Sequence, residues 1–377
     1  MYSVDGGMTK TINIKQMKID IIAGARPNFI KIAPIISEIK KAIKKGNDIS
    51  YRLIHTGQHY DSNMSGSFFE QLEISLPDIN LNVGSGTQAE QTSAIMIGYE
   101  KVLSSSDSNL CLVVGDVTST MACAIVAKKR NIKVVHVEAG IRSDDMTMPE
   151  EINRIVTDSI TDYFFTTTLR AGQNLIKQGI PNSKIFFVGN VMIDTLNKFR
   201  AKFFKPTIWD ELRLEKKQFI LLTMHRPANV DEELLLGCFL NEIVNTSKGL
   251  PVIFPIHPRT KKIISKLNID LDQLHIIAPL SYLEFNYLAE NAKVVITDSG
   301  GITEETTVMG VPCITLRDNT ERPETVVLGT NELIGTNPDN IRPAMDKIFS
   351  NQWKSGSIPE KWDGKAAKRI VKILLNF

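Results

Sequence analysis

The chain has 377 residues, with 44 Lys and Arg against 42 Asp and Glu, and a formal net charge of +2 at pH 7. This length is typical of two domains, and the nearly balanced charge gives no electrostatic reason to expect a nucleic-acid or an anionic-membrane partner. No apolar run approaches the roughly 18 residues of a membrane-spanning helix, and the first residues lack a signal-peptide pattern, so we expect a cytoplasmic protein.

The first half of the chain alternates short β-branched runs with longer periodic segments, which is typical of a doubly wound α/β sheet. Residues 1–16 precede the first strand, and we expect a leader or a disordered segment there. The predicted strands are 18–23, 51–56, 77–83, 109–114, 132–137, 162–166 and 185–188. The predicted helices are 28–44, one from about 68, 87–104, one ending at 129 and one between the fifth and sixth strands.

The second half repeats this alternation after a charged segment. We predict an N-terminal domain at 17–195, a linker at 196–217 and a C-terminal domain at 218–362. The second half contains predicted strands at 219–223, 251–255, 275–277, 294–297 and 312–316, and predicted helices at 232–246 and 281–289. Residues 363–377 predict an amphipathic helix that packs back on the N-terminal domain. The predicted fold class is α/β, with two Rossmann-like doubly wound domains facing one another across a cleft.

The four cysteines are scattered and show no CxxC spacing. Two of them, Cys111 and Cys313, lie inside apolar runs that predict strands, and the others are Cys123 and Cys238. We interpret all four as buried free thiols in a reducing compartment.

Acidic residues gather where two neighbouring strands are predicted to end. Glu138 follows strand 132–137, and Glu150 lies in the loop beyond it, while Asp116 follows Gly115 on the neighbouring strand. Ligands of open parallel sheets bind at the carboxyl ends of the strands, and adjacent carboxylates raise one another's pKa, so these three acids are candidates for proton transfer. The alternative is that the acidic loop and Asp116 only cap the helices that follow them.

The turn after the first strand reads GARPN and lacks the GxGxxG pattern of a dinucleotide site. It supplies Arg26, with Lys31 one turn into the helix, which favours an anion site over a salt bridge at a strand end. The segment HTGQHYD at 55–61 brings together two imidazoles, an amide and a carboxylate. We predict no metal there, because no matching HxxxH or cysteine cluster accompanies it.

The second half offers a site for a nucleotide diphosphate. DSGGITEE at 298–305 follows a predicted strand and opens a helix, and its small residues and helix amides suit a phosphate group. Glu305, one turn further, is placed to accept hydrogen bonds from ribose hydroxyls. Further cations on the same rim are His225, Arg226, His257, Arg259, Arg317 and Arg322.

An ordered set of segments resembles the non-hydrolysing UDP-N-acetylglucosamine 2-epimerases and spans about residues 18–370. The segments are GARPNFIKIAP, HTGQHYDSNM, GDVTST, HVEAGIRS, MPEEINR, GNVMIDT, HRPAN, HP, DSGGITEE and RDNTERPE. The resemblance implies a GT-B arrangement of the two domains, with the active site between them, and a homodimer.

The resemblance also implies a reaction. It is the reversible inversion of C2 that converts UDP-N-acetylglucosamine to UDP-N-acetylmannosamine, without a metal or NAD, and it supplies precursors for surface polysaccharide. The family proceeds by anti elimination of UDP to 2-acetamidoglucal and re-addition of UDP with the proton on the opposite face. Such chemistry needs an acid and a base on opposite sides of C2 and cations for the leaving diphosphate.

Matching the motifs implies roles for individual residues. The catalytic groups are Asp116, Glu138, Glu150 and His225. The residues that bind UDP are Arg26, Lys31, His257, Ser299, Gly300, Gly301, Glu305 and Arg322. Gln58 and His59 lie in the motif that borders the family's second, allosteric site for UDP-N-acetylglucosamine.

The chain departs from the family's pattern in several places. The family's first motif commonly reads GTRPEAIK, whereas this chain reads GARPNFIK and differs at Ala25, Asn28 and Phe29. The family's HRREN motif reads HRPAN here, so that Ala228 replaces its acid. Ala94 stands where many bacterial members carry an arginine. Hydrolysing relatives usually carry a GTRAD-like first motif, so Arg26, Pro27 and Asn28 favour the non-hydrolysing class. The alternatives are an epimerase of UDP-2,3-diacetamido-glucuronic acid, a GT-B glycosyltransferase and a non-catalytic sensor of nucleotide sugars.

Overall fold

A computed structural model describes residues 16–57, 66–230, 232–256, 264 and 272–377 of the chain. The described residues form two parallel β-sheets with helices between successive strands. This architecture confirms the predicted α/β class. Among the described helices, none combines the length and the apolar character needed to cross a membrane.

The first sheet has seven parallel strands in the order β3-β2-β1-β4-β5-β6-β7. The strands are β1 Met17–Ala23, β2 Ile49–His55, β3 Ile79–Asn80, β4 Leu110–Val114, β5 Lys133–Val137, β6 Tyr163–Thr166 and β7 Ile185–Phe187. All five residues of β4 are buried, as expected for a central strand with helices on both faces. The strand order reverses between β1 and β4, and a crevice at their carboxyl ends is where such sheets bind ligands.

Helices connect these strands on both faces of the sheet. They are α1 Arg26–Lys44, α2 Gly66–Gln71, α3 Gln88–Ser104, α4 Thr118–Lys129, α5 Pro149–Ile160, α6 Leu169–Lys177 and α7 Val191–Phe199. The apolar face of α1 repeats at helical spacing, with Phe29, Ile32, Ile36 and Ile39 buried. Helix α1 begins at Arg26, two residues before the predicted start, because Pro27 is favourable in a first helical turn.

The second sheet has six parallel strands in the order β10-β9-β8-β11-β12-β13. They are β8 Ile220–Thr223, β9 Val252–Pro255, β10 Leu274–Ile277, β11 Val294–Thr297, β12 Cys313–Thr315 and β13 Asn331–Leu333. The helices are α8 Thr207–Glu211, α9 Pro227–Val230, α10 Glu233–Thr246, α11 Tyr282–Asn291, α12 Gly300–Met309, α13 Pro323–Val327, α14 Ile341–Phe349 and α15 Ala366–Leu374. The strand order of this second sheet reverses between β8 and β11.

The last helix, α15, packs on α1 and α7 of the first half and belongs to the same hydrophobic core. Asp194 of α7 accepts hydrogen bonds from the backbone amides of Ala366 and Ala367, at 3.0 and 2.7 Å. Trp362 is buried beside α7, and its Nε1 donates to the carbonyl of Thr167. These contacts tie the C-terminal residues to the first half of the chain.

Several predicted details differ from the structure. The strand predicted at 77–83 is reduced to Ile79–Asn80, which pairs only with the last two residues of β2 at the sheet edge. Helices α6, α7, α8, α9, α13 and α14 and strand β13 were not predicted. Strand β13 is too short for an alternating pattern, and α14 contains Pro343. The prediction that all four thiols are buried is wrong for Cys238, which is exposed on α10.

Candidate functional site

Residues at the carboxyl ends of the two sheets contact one another directly. Glu138, which follows β5, accepts a hydrogen bond from Arg322, which lies beyond β12 in the second half. Asn190, which follows β7, donates to Glu304 of α12 at 2.9 Å. Asn319 donates to Asp145 at 3.2 Å. The two ligand-binding edges therefore meet in one junction.

Glu138 lies at the centre of this junction, between two cations. Its side chain is 2% exposed, and its carboxylate is 2.6 Å from Nζ of Lys31 on α1 and in contact with Nη2 of Arg322. Burial raises the pKa of Glu138, but the positive charges of Lys31 and Arg322 outweigh it and lower the pKa to about 2. Glu138 is therefore a buried carboxylate that is ionised at neutral pH.

The backbone of Glu138 adopts a strained, left-handed conformation at the end of β5. Its φ is 70°, a left-handed conformation that costs a non-glycine residue about 1–3 kcal/mol. The amides of Glu138 and Ala139 both donate to the carbonyl of Phe165, at 3.0 and 3.2 Å, and these bonds hold the turn. Gly115 leaves room for the cluster, since a Cβ there would lie 3.2 Å from Nζ of Lys31.

Asp116 is held by an arginine of its own. Arg154 of α5 donates from Nε and Nη2 to one carboxylate oxygen of Asp116, at 3.0 and 2.7 Å, and Asn153 donates to its carbonyl at 2.8 Å. Asp116 does not cap α4, whose N-cap is Val117 and lacks a side-chain hydrogen bond, so the capping interpretation is wrong. The expected rise of carboxylate pKa values is also wrong for Glu138, because cations surround it.

The adjacent acids at the start of α5 have different environments. Glu150 is exposed in the first turn, whereas Glu151 is buried. Glu151 accepts hydrogen bonds from the amides of Ser143 and Asp144, at 3.0 and 3.2 Å, and also pairs with Arg154. Glu151 thus holds the loop in place, whereas Glu150 remains exposed, a difference that the sequence does not reveal.

A buried histidine supports the two strand ends that carry the acids. Nδ1 of His136 is 2.7 Å from Asp158, and its Nε2 is 2.9 Å from the carbonyl of Gly115. Asp158 also accepts from the amide of Gly140 at 3.0 Å and pairs with Arg142. Burial opposes ionisation of Asp158, but His136 and Arg142 hold its pKa below the ordinary value. The HVEAG segment alone gave no sign of the partner at Asp158, which lies on another element.

In the second half, His225 follows β8 and is exposed, with its Nδ1 2.7 Å from Asp298. Asp298 is fully buried and accepts the backbone amides of His225 and Arg226 and the side-chain amide of Asn229. Burial raises the pKa of Asp298, but His225 and the amide donors lower it below the ordinary value. Asp298 therefore orients the imidazole ring through Nδ1.

The DSGG segment forms the N-terminus of α12, with Ser299 at the N-cap and Gly300 and Gly301 in the first turn. A Cβ on Gly300 would lie 2.6 Å from Oε1 of Glu321, so a larger residue there would require the Glu321 carboxylate to move. Glu321 pairs with Arg317 at 2.7 Å. Nη1 of Arg317 is buried and lacks a hydrogen-bond partner among the described residues, so this guanidinium retains a donor near the helix start.

The two glutamates of ITEE point to different neighbours. Glu305 is buried against α11, where it accepts a hydrogen bond of 2.7 Å from the hydroxyl of Tyr282, and burial raises its pKa to about 7. Glu304 is buried at the junction, 3.0 Å from Nε of Arg322. The resemblance pointed to Glu305, but Glu304 is the member of the pair that contacts the Glu138 cluster.

The remaining predicted residues lie partly outside the described part of the chain. Arg26 is half-buried at the start of α1, with its guanidinium over the ring of Phe68 at 5.2 Å. His257, Gln58 and His59 lie outside the described residues. Within the described residues, no group of three or more His, Cys, Asp or Glu side chains is arranged to hold a metal ion.

Comparison with known proteins identifies relatives over nearly the whole chain. The sequence model of the family described as UDP-N-acetylglucosamine 2-epimerase matches residues 41–375. A UDP-N-acetylglucosamine 2-epimerase of Methanocaldococcus jannaschii is 43% identical over 376 residues, which cover 95% of this chain and 99% of that protein. A UDP-2,3-diacetamido-2,3-dideoxy-D-glucuronate 2-epimerase of Pseudomonas aeruginosa is 41% identical over 369 residues, with 95% and 99% covered.

A solved structure shows the same architecture. The crystal structure of Methanocaldococcus jannaschii UDP-GlcNAc 2-epimerase in complex with UDP-GlcNAc and UDP is similar to this chain with a TM-score of 0.85. The two are 42% identical in sequence, and the match covers 96% of this chain and 100% of that one. This similarity confirms the predicted arrangement of two Rossmann-like halves.

Proposed function

The chain belongs to the UDP-N-acetylglucosamine 2-epimerase family, and on that premise we propose that it inverts C2 of a UDP-sugar. The substrate is UDP-N-acetylglucosamine, and the product is UDP-N-acetylmannosamine. The reaction proceeds by anti elimination of UDP and re-addition from the same bound state. The observation that carries this proposal is the buried, ionised Glu138 between Lys31 and Arg322 at the junction of the two halves.

Elimination requires a base that reaches the proton on C2 and a site that stabilises the departing diphosphate. Glu138 suits the first task because its carboxylate is ionised at neutral pH and shielded from water. Lys31 and Arg322 provide the positive charge that stabilises the departing diphosphate. A diphosphate that engages these two cations withdraws part of their charge from Glu138, which makes the carboxylate more basic at the moment when it must accept a proton.

Inversion also needs a proton donor on the opposite face of C2. Asp116 and Glu150 are the candidates, since both lie at the same edge of the first sheet and neither is buried. Arg154 fixes the orientation of Asp116 through two hydrogen bonds to one oxygen, which leaves the other oxygen for a substrate or a proton. His225, oriented by Asp298, adds an imidazole from the second half.

The diphosphate and the nucleoside are assigned to the second half. The amides of Gly300 and Gly301 in the first turn of α12 suit a phosphate, whereas the amide of the N-cap Ser299 donates to the hydroxyl of Thr297 at 3.0 Å and leaves the Ser299 hydroxyl for the ligand. Nη1 of Arg317, which lacks a partner among the described residues, adds a donor beside them. Glu305 is the acceptor assigned to the ribose hydroxyls, and a ligand there competes with the hydroxyl of Tyr282. We extend the assignment to Arg26 and His257 from the motif match alone.

The direct test is incubation of the purified protein with UDP-N-acetylglucosamine in heavy water, followed by proton NMR of the sugar products. We expect UDP-N-acetylmannosamine, with deuterium at C2 of both epimers and no acceptor required. A glycosyltransferase needs an acceptor and leaves C2 protonated. Absence of both epimerisation and deuterium incorporation would overturn the proposal.

A second substrate is favoured by one specific observation, the 41% identity to the Pseudomonas aeruginosa UDP-2,3-diacetamido-2,3-dideoxy-D-glucuronate 2-epimerase. The same C2 chemistry applies to that sugar, which differs at C3 and C6. A panel of UDP-sugars assayed for inversion at C2 decides between them by the ratio of kcat/KM values. The homodimer that the resemblance implies is also part of the proposal, and sedimentation equilibrium of the purified protein tests it.

A further inference from the structure

Two buried glutamates share the guanidinium of Arg322. Nη2 of Arg322 donates to Glu138, while its Nε is 3.0 Å from Oε1 of Glu304. Glu138 belongs to the first half of the chain, whereas Glu304 and Arg322 belong to the second. The side-chain exposures are 2% for Glu138, 1% for Glu304 and 8% for Arg322, so the three groups interact with little screening by water.

Asn190 links Glu304 back to the first half. Its Nδ2 donates to the same Oε1 of Glu304 at 2.9 Å, while its Oδ1 accepts the amide of Met192 at 2.9 Å as the N-cap of α7. The cap fixes the direction of the side-chain amide. A chain of contacts, Asn190 to Glu304 to Arg322 to Glu138, therefore leaves the first half, passes through the second and returns to the first.

We propose that Glu304 is a positioning residue that holds Arg322 against Glu138 only when the two halves are closed on one another. The inference rests on the proposed function, in which Glu138 is the reacting carboxylate. One oxygen of Glu304 accepts from both Nε of Arg322 and the side-chain amide of Asn190. A rotation that separates the halves breaks the two contacts that cross between them, Asn190 to Glu304 and Arg322 to Glu138. Closure thus sets the distance between Arg322 and Glu138.

The charges around Glu304 give this arrangement a pH dependence. The groups that face it are Arg322 and Glu324 from the second half and Glu138 and Lys31 from the first. Burial raises the pKa of Glu304 to about 8, Arg322 and Lys31 act in the opposite direction, and Glu138 reinforces the rise. In the closed state at neutral pH, Glu304 is protonated and leaves the charge of Arg322 to Glu138. Ionised Glu304 competes for that charge above about pH 8.

The first experiment uses two substitutions that separate shape from charge. Glu304→Gln keeps the volume and the acceptor oxygen, so we expect kcat at pH 7 to stay within about fivefold of wild type and the alkaline decline of kcat between pH 7 and 9 to be lost. Glu304→Leu removes the acceptor, and we expect kcat to fall about 100-fold with a smaller change in KM. The matched control is Glu242→Gln, at a surface pair with Arg342.

The second experiment does not depend on turnover. Binding of UDP is measured by calorimetry at pH 7 in two buffers of different ionisation enthalpy, which reports protons taken up on binding. Because the pKa of Glu304 is raised only while the halves are closed, UDP that draws the halves together should make Glu304 take up a proton. We therefore expect wild type and the Glu242→Gln control to take up more protons per UDP than Glu304→Gln, by a margin of up to one. Asn190→Ala should reduce the uptake as well, because it weakens the closed state.

The outcomes separate the inference from the proposed function. A wild-type protein without exchange at C2 disproves the function, whereas the calorimetric comparison still decides the role of Glu304. Equal proton uptake by wild type and Glu304→Gln overturns the positioning role. The positioning role is also overturned if kcat of Glu304→Gln declines at alkaline pH as in wild type, or if a folded Glu304→Leu variant has wild-type kcat. Thermal unfolding establishes that the variants are folded.

Discussion

Replacing Glu138 with glutamine tests the reasoning most directly. Glu138→Gln keeps the volume of the side chain but removes the negative charge between Lys31 and Arg322. Both cations are then left in a buried site with Glu304 as the remaining nearby acid. We expect a loss of stability and a loss of turnover, for two different reasons.

The size of the stability loss follows from the pKa of Glu138. A shift from the ordinary 4.5 to about 2 corresponds to about 3 kcal/mol of interaction that favours the ionised form in the folded state. Because the folded-state pKa is depressed, this contribution is present above about pH 4.5 and is lost as the pH falls towards 2. At pH 7, Glu138→Gln should therefore lower the free energy of unfolding by about 3 kcal/mol, consistent with breaking a buried ion pair.

The loss of turnover should be larger and should not depend on stability. If Glu138 accepts the proton from C2, its removal lowers the rate of deuterium incorporation at C2 by about 100-fold to 10,000-fold. The double variant Lys31→Met/Glu138→Gln removes one uncompensated cation, and we expect it to recover part of the lost stability without recovering exchange. Urea unfolding and NMR on the same samples measure the two effects.

Two results would refute this reasoning. Exchange within about fivefold of wild type in a folded Glu138→Gln variant shows that another group accepts the proton. Recovery of exchange in the double variant shows that the loss came from the unpaired Lys31 rather than from the missing base.

Three further predictions concern other parts of the structure. Asp116→Asn should lower turnover at least 100-fold but change the free energy of unfolding by less than about 1 kcal/mol, since the carboxylate is partly exposed beside Arg154; a large stability loss contradicts this. Gly140→Ala should destabilise by about 3 kcal/mol or more in urea unfolding, because φ is 78° and a Cβ would lie 2.2 Å from the carbonyl oxygen of Ala171; wild-type stability is the opposing result. Burial raises the pKa of Asp194 to about 6, although two backbone amide donors oppose the rise. Because the folded-state pKa is raised, the contribution of Asp194 to the free energy of unfolding falls by about 3 kcal/mol as the pH rises from about 4 to 6. Asp194→Asn should abolish that part of the pH dependence, and an unchanged pH profile of unfolding speaks against it.

The sequence predicted those features of the fold that depend on neighbouring residues in the chain. Buried strands such as Leu110–Val114 are apolar throughout, and a glycine or an acid follows them where the chain leaves the sheet. These patterns sufficed for the α/β class, for most strands and for the placement of the polar residues at the strand ends. Elements of three residues, such as β13, are too short to show a period and were missed.

Neighbouring acids show where sequence reasoning reaches its limit. Glu150 and Glu151 are equivalent in a motif, as are Glu304 and Glu305, yet successive residues on a helix point about 100° apart. Which one is buried depends on the elements packed against that helix. Glu151 holds a loop, and Glu304 holds Arg322, because their partners come from elsewhere in the chain.

The sequence by itself thus determined the order of strands and helices and the set of charged groups that the strand ends deliver. Only the tertiary structure decided how those charges pair. Glu138 was expected to have a raised pKa from a neighbouring carboxylate, but folding brings Lys31 from α1 and Arg322 from the other half into contact with it. Electrostatic interactions in a buried site depend on distance and burial, and neither quantity can be obtained from positions along the chain.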